Sequence, residues 1–240
     1  NALLRAGVTV DMVPPGVDLD GYRLVLAPQL YLLPDNVADA LAEFVRKGGV
    51  LLNDCRTGVK DATGLCHERT LPGKLAKPLG IRIEEYESLQ SVMEYALKGV
   101  KSMAGTFTAT QYADWITPES AQALCSYDQW HLRPFAGVTR NTYGKGVGWY
   151  VGTIVKEDAF YDRLIAALLR DARIKPIVKP PLGVEIGMRT GKHGTFLFVI
   201  NHCDEPRRVT VPAGKRELLT GKRTGASVNL DRYGVAVIAL

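Results

Sequence analysis

In the stretch GGVLLNDCRTGVKD, residues 48–61, an apolar run ends at Asn53-Asp54 and a cysteine, Cys55, follows at once. The carboxyl edge of a buried strand is where open α/β sheets place their ligands and reactive groups. A nucleophile elbow needs small residues on both sides, because its turn is sharp and strained; here the neighbours are Asp54 and Arg56. No helical pattern follows directly, so no helix N-terminus is available to stabilise a thiolate. His67 is the nearest candidate base, and it stands in a polar loop. The residues therefore predict a Cys55 thiol of ordinary acidity, near the free value of about 8.5. A catalytic Cys55 with His67 as base is the competing reading.

Other groupings fall short of a site. Cys55, Cys66 and His67 do not supply the four tightly spaced ligands of structural zinc, and none of the four cysteines (Cys55, Cys66, Cys125, Cys203) forms a CxxC pair. YGKGVG has the glycines of a phosphate loop but lacks the GK[ST] ending and a following helix, so it reads as a hairpin turn. Glu84-Glu85 and Asp204-Glu205 are adjacent carboxylates. Neighbours on a strand point to opposite faces, so neither pair can flank one glycosidic bond. His202, at a strand end before Pro206, reads as a turn histidine. Trp115, Trp130 and Trp149 are candidate sugar platforms, against a reading as packing residues. No catalytic residue, cofactor site or metal site is assigned from these residues.

The elements that must position these groups follow from periodicity. VTVDMV (8–13) and RLVLAP (23–28) read as strands. Pro34 and Asp35 start a helix, and Gly48-Gly49 stops it. Between them Val37, Leu41, Phe44 and Val45 keep the spacing of one buried face. VLLN (50–53) is apolar throughout, the mark of a parallel strand covered on both sides. GKLAKPLG forms a short helix and IRIEEY (81–86) a strand, while residues 87–103 have weak periodicity. GTFTATQYADWI and AQALCSYD are expected as peripheral strands. Two further strands join at Tyr143–Gly146, and KEDAFYDRLIAALLRDA forms the last helix. Strands alternating with helices predict a doubly wound α/β sheet. After the proline-rich IKPIVKPPLG (174–183), short strands split by turn residues predict a small antiparallel β-sandwich.

Bulk composition narrows the function classes. The chain has 240 residues, 46% hydrophobic and 23% charged, with a formal charge of +5. The basic residues are scattered beside turns, without the stripe and interleaved aromatics of a nucleic-acid surface. No apolar run reaches a membrane span. Cysteine usage fits free thiols in a reducing compartment, hence an expected cytoplasmic location. The opening NALLRAGVTV reads as the end of a helix running into a strand, which predicts that a longer protein continues upstream.

The order of segments resembles the trimerisation domain of family 42 β-galactosidases. LLRAGVTVDMVPPGVDLDGYRLVLAPQLYLL, FVRKGGVLLNDCRTGVKD, LPGKLAKPLGIRIEEY, TRNTYGKGVGWYVGT and LIAALLRDARIKPIV carry the resemblance in turn. VINHCDEPRRVTVP, ELLTG and VNLDRYGVAVIAL resemble the small C-terminal β-domain of the same enzymes. The resemblance implies a parent that hydrolyses terminal β-galactosides with retention, through two glutamates on a preceding (β/α)₈ barrel. Such a barrel takes about 200 residues or more, so those glutamates have no matching positions here. It also implies a homotrimer, and a fold like that of flavodoxin and the glutamine amidotransferases, which is why Cys55 is suggestive.

The expected architecture is thus a flavodoxin-like α/β domain over 1–177 and an all-β domain over 182–240. The expected role is assembly, as a non-catalytic C-terminal portion of a glycoside hydrolase. A stand-alone amidotransferase-like enzyme using Cys55 and a carbohydrate-binding accessory module are the alternatives. Arg56, Thr57, Asp61 and His67, in the long polar loop after VLLN, are expected at a subunit interface or lining a neighbour's substrate funnel. Loops of that length are commonly functional, and a ring of three needs a heterologous contact.

Overall fold

The structure is a computed structural model that describes residues 2–240. Its chain divides into two compact units, one from Val13 to Ile174 and one made of the described residues up to Met12 together with Lys175–Leu240. The expected grouping of 1–177 thus differs in space at its first twelve residues. The short helix α1 (Ala2–Arg5) packs on a strand of the C-terminal unit. The strand expected at 8–13 does not form. Thr9 instead accepts the amide of Met188 on its hydroxyl, and Met12 and Val13 lie exposed, so no neighbouring edge supplies a ladder.

The larger unit is built on one nine-stranded mixed sheet. Its elements are β1 (Leu24–Ala27), α2 (Asp35–Lys47), β2 (Val50–Asp54), α3 (Ala76–Leu79), β3 (Ile81–Ser88), β4 (Tyr95–Gly99), β5 (Gly105–Pro118), β6 (Gln122–Tyr127), β7 (Ala136–Tyr143), β8 (Gly146–Val151), β9 (Thr153–Val155) and α4 (Asp158–Asp171). The main strand order is β1-β2-β8-β7-β6-β4-β5-β3. Only β1, β2 and β8 run parallel; every other pairing in this sheet is antiparallel. β5 also meets β7 and β9, so the ladder β7-β6-β4-β5 closes on itself. β5, expected at the periphery, is therefore the hub of the antiparallel half.

Helices cover both faces of the parallel strands. Tyr150 of β8 is buried in one cluster with Val37, Leu41, Phe44 and Val45 of α2. Its neighbour Trp149 donates Nε1–H to Asp171 Oδ2 of α4 at 2.9 Å. Consecutive strand residues face opposite ways, so α2 and α4 lie on opposite sides. Asp171 also takes a two-pronged contact from Arg140 of β7, at 2.8 and 3.0 Å. α2 ends as its sequence predicts: Gly48 adopts φ 125 and returns its amide to Val45 O, with Arg46 and Lys47 in the last turn.

The C-terminal unit holds a four-stranded antiparallel sheet, β10 (Val184–Gly191), β11 (Gly194–Asn201), β15 (Val235–Ala239) and β13 (Arg216–Glu217), in that order. A second sheet pairs β12 (Arg207–Thr210) with β14 (Ser227–Leu230). One core joins the two sheets: Ile186, Leu197, Val199 and Ile238 meet Val209 and Leu230. Alternation along the strands sends these residues inward, and the gain from burying each is about 1.5–3 kcal/mol.

Candidate functional site: the carboxyl edge of the parallel strands

β1, β2 and β8 end at the same edge, and the chain departs from ordinary backbone there. Gln29, after β1, has φ 47, and Arg56, after β2, has φ 70. Left-handed geometry at a non-glycine residue costs on the order of 1–3 kcal/mol and persists only where its surroundings hold it. The Gln29 amide donates to Asp54 Oδ1. Thr57 donates its hydroxyl to Asp54 O at 2.7 Å, and Cys55 donates its amide to Val151 O at 2.8 Å. The turn is thus tied to both neighbouring strands.

Arg56 leaves this turn into a cage of tyrosines. Its guanidinium carbon lies 3.8 Å from the ring centre of Tyr86, 5.3 Å from Tyr31 and 5.7 Å from Tyr112. Arg56 Nη1 is buried without a hydrogen-bond partner. Behind it Tyr150 donates its hydroxyl to Asp114 Oδ2 at 2.7 Å. Burial pushes the Asp114 carboxyl up to about 7, against the pull of the Tyr150 hydrogen bond and the Arg56 charge. Burial likewise raises Asp54 to about 6.

Cys55 is fully buried. Burial drives its thiol far above the ordinary value, and the Asp114 and Asp54 charges add to the rise. The expected acidity near 8.5 is thereby corrected: a thiolate there would be desolvated and would face two acids. This is the opposite of a nucleophile's surroundings.

The predicted loop residues are dispersed along an ordered segment. Gly58 and Lys60 donate amides to Leu30 and Tyr31, and Leu33 donates back to Lys60, so the loop extends the parallel pairing beyond β2. Thr57 is buried; it shapes the turn and offers no outer surface. Asp61 Oδ1 accepts from the Thr63 hydroxyl and amide and from the Leu65 amide, at 2.7, 2.8 and 3.1 Å. These bonds, the Thr63 hydroxyl first, hold its carboxyl below the usual range. His67 places Nε2 3.3 Å from Leu33 O. Arg69 grips Asp35 at the start of α2, at 2.9 and 3.0 Å. Asp61 and His67 are neighbours near the loop tip, where Leu65 and Cys66 are exposed. Arg56 belongs to the tyrosine cage instead.

Residue reading missed Asp114 and the three tyrosines. Asp114 follows a bulge in β5, where Gln111 takes φ 64 and the pairing with β9 shifts register. A bulge inserts a residue and resets the alternation, so the inward turn of Asp114 has no period-two signature. Among the described residues no group of three or more His, Cys, Asp or Glu is placed to hold a metal ion, and no helix is long and apolar enough to cross a membrane.

A mixed sheet with helices on both faces of its parallel strands, followed by a two-sheet β unit, is shared with known proteins. Residues 1–175 match the family described as the β-galactosidase trimerisation domain, and residues 183–240 match the β-galactosidase C-terminal domain. The chain belongs to the family 42 β-galactosidases and comprises the trimerisation and C-terminal domains of that family. It is 30% identical to β-galactosidase BgaA of Clostridium cellulovorans, over 100% of this chain and 36% of that protein. It is 31% identical to BgaB of a Geobacillus strain, over 98% of this chain and 35% of that protein. Among solved structures, the β-galactosidase of Bacillus circulans sp. alkalophilus superposes with a TM-score of 0.93 at 28% identity, over 99% of this chain and 36% of that one. The chain thus spans about a third of the length of the relatives it matches.

Proposed function

We propose that this chain assembles subunits of a β-galactosidase-like glycoside hydrolase into a homotrimer and supports a catalytic barrel elsewhere in the parent. The parent hydrolyses terminal β-galactosides with retention, on glutamates carried by that barrel. The match of residues 1–175 to a trimerisation domain is the observation that carries this reading. The parallel trio β1-β2-β8, flanked by α2 and α4, supports kinship with flavodoxin-like and amidotransferase-like sheets. The burial of Cys55 speaks against an amidotransferase activity. Four free cysteines, Cys66 exposed among them, fit a cytoplasmic location.

The subunit contact, or the lining of a neighbour's substrate funnel, lies on the outer part of the loop after β2. Asp61 and His67 supply its polar groups and Leu65, 68% exposed, an apolar one; Leu32, 50% exposed, joins from the segment after β1 that pairs with Lys60. Arg56 and Thr57 hold the base of the loop from within. A heterologous contact of this kind closes a ring when its rotation allows, and a specific one buries on the order of 1,000 Å² or more. The test is light scattering on the full-length parent carrying Leu65→Asp or Asp61→Lys. Both variants are expected to lower the mass from trimer toward monomer. Trimers of unchanged mass and activity in both would place the contact elsewhere.

A further inference from the structure

Trp130 is 80% exposed, yet it is not on a loose loop. It sits on the turn between β6 and β7, anchored by the fully buried Leu132. Asp128 donates its amide to Ala96 O, Leu132 to Gln129 O, and Phe135 to Leu132 O. The indole meets the His131 ring at 5.2 Å in an edge contact. His131 in turn lies 5.9 Å from Tyr95 and 6.2 Å from Trp115, and Trp115 stacks on Phe135 at 5.1 Å. Turn and strands together form an aromatic wall whose outermost member is a bare indole face.

A carboxylate is fixed beside that wall. Glu87 of β3 accepts the Tyr95 hydroxyl on Oε1 at 2.7 Å and faces His131 Nε2 from Oε2 at 3.0 Å. Its side chain keeps 25% exposure. A carboxylate offers about four acceptor positions, so two remain for a ligand. His131 links the two, its ring edge-on to the indole and its Nε2 on the carboxylate. In the same cluster Trp115 Nε1 is buried with no hydrogen-bond partner, an unspent donor of the kind that calls for an explanation.

We propose that Trp130, His131 and Glu87 form a binding site for a neutral saccharide, one pyranose stacked on the Trp130 indole with its hydroxyls donating to Glu87. An exposed aromatic face takes the C–H face of a sugar, and a pre-oriented carboxylate takes adjacent hydroxyls. An acidic sugar is disfavoured, because its carboxylate would face Glu87. The site is small, and a ligand of a dozen heavy atoms at the modest efficiency of such contacts binds with roughly millimolar affinity.

The 240-residue chain itself serves for the test. Indole N–H resonances are followed by NMR during titration with lactose, cellobiose or maltose, with sodium glucuronate as the acidic control. The Trp130 signal is expected to shift saturably with at least one disaccharide and less with glucuronate. Trp130→Ala should remove the saturable shifts, and Glu87→Gln should weaken binding several-fold, with the circular dichroism of both variants unchanged. No shift of Trp130 with any of the three disaccharides at tens of millimolar would overturn the proposal. So would binding that survives Trp130→Ala, or a Trp130→Ala change confined to the mass of the full-length parent, which marks a subunit contact instead. The outcome is independent of the loop variants that test assembly.

Discussion

The Tyr150 hydroxyl donates to Asp114 Oδ2 at 2.7 Å inside the larger unit, joining β8 to β5 beneath the tyrosine cage of Arg56. The acid is buried, and the Tyr150 hydroxyl, the Arg56 amide and the Arg56 charge only partly offset its loss of water. Burial raises Asp114 to about 7 and Asp54 to about 6, while both ionise near 4 in the unfolded chain.

That relationship sets a pH dependence. Below about pH 4 both carboxyls are protonated folded and unfolded. As pH climbs from about 4 to 7 the unfolded chain loses these protons first, so it binds fewer than the folded one and stability falls. The two acids thus make the unit less stable at pH 8 than at pH 5, by on the order of a few kcal/mol for shifts of this size. Asp114→Asn keeps an acceptor for Tyr150 and removes the buried charge. Urea midpoints at pH 5 and pH 8 are expected to lie closer together in the variant. An unchanged gap would mean that Asp114 is not the titrating group.

The cysteines separate by burial. Cys66 is exposed, whereas Cys55 and Cys125 are buried, and burial lifts the Cys125 thiol to about 12. Iodoacetamide at pH 8, read by peptide mass spectrometry, is expected to label Cys66 first. Cys55 and Cys125 should react only once urea unfolds the chain. Native labelling of Cys55 ahead of Cys66 would restore the nucleophile reading.

Gly80 closes α3 with φ 65, and its carbonyl accepts the amides of Glu119, Ser120 and Ala121 at 2.9, 3.1 and 3.1 Å. A Cβ there would stand 2.5 Å from Asn141 Cγ. Asn141 cannot yield easily, because its amide donates to Lys77 O and Pro78 O at 3.2 and 3.1 Å. Gly80→Ala combines left-handed strain with overpacking, and the two together cost about 2–4 kcal/mol. A urea melt should show the midpoint falling accordingly; a loss below about 0.5 kcal/mol would show that the α3–β7 contact relaxes freely.

What the sequence by itself determined is local and periodic. The buried face of α2, its glycine stop, the continuous apolar run of β2 and the change of grammar after residue 174 all follow from spacing and turn chemistry. They do so because each rests on contacts between residues a few positions apart. The order of segments likewise carried the family. Only the tertiary structure decided what lies at the carboxyl edge of the parallel strands. Tyr31, Tyr86 and Tyr112 converge on Arg56 from separate segments, and Asp114 turns inward because a bulge at Gln111 resets the alternation of β5. Tertiary packing also denied 8–13 a strand partner, made β5 a hub and buried Cys55 beneath two acids. Pairing between distant strands fixes such arrangements, and a bulge or a missing neighbour leaves no periodic trace in the residues that form it.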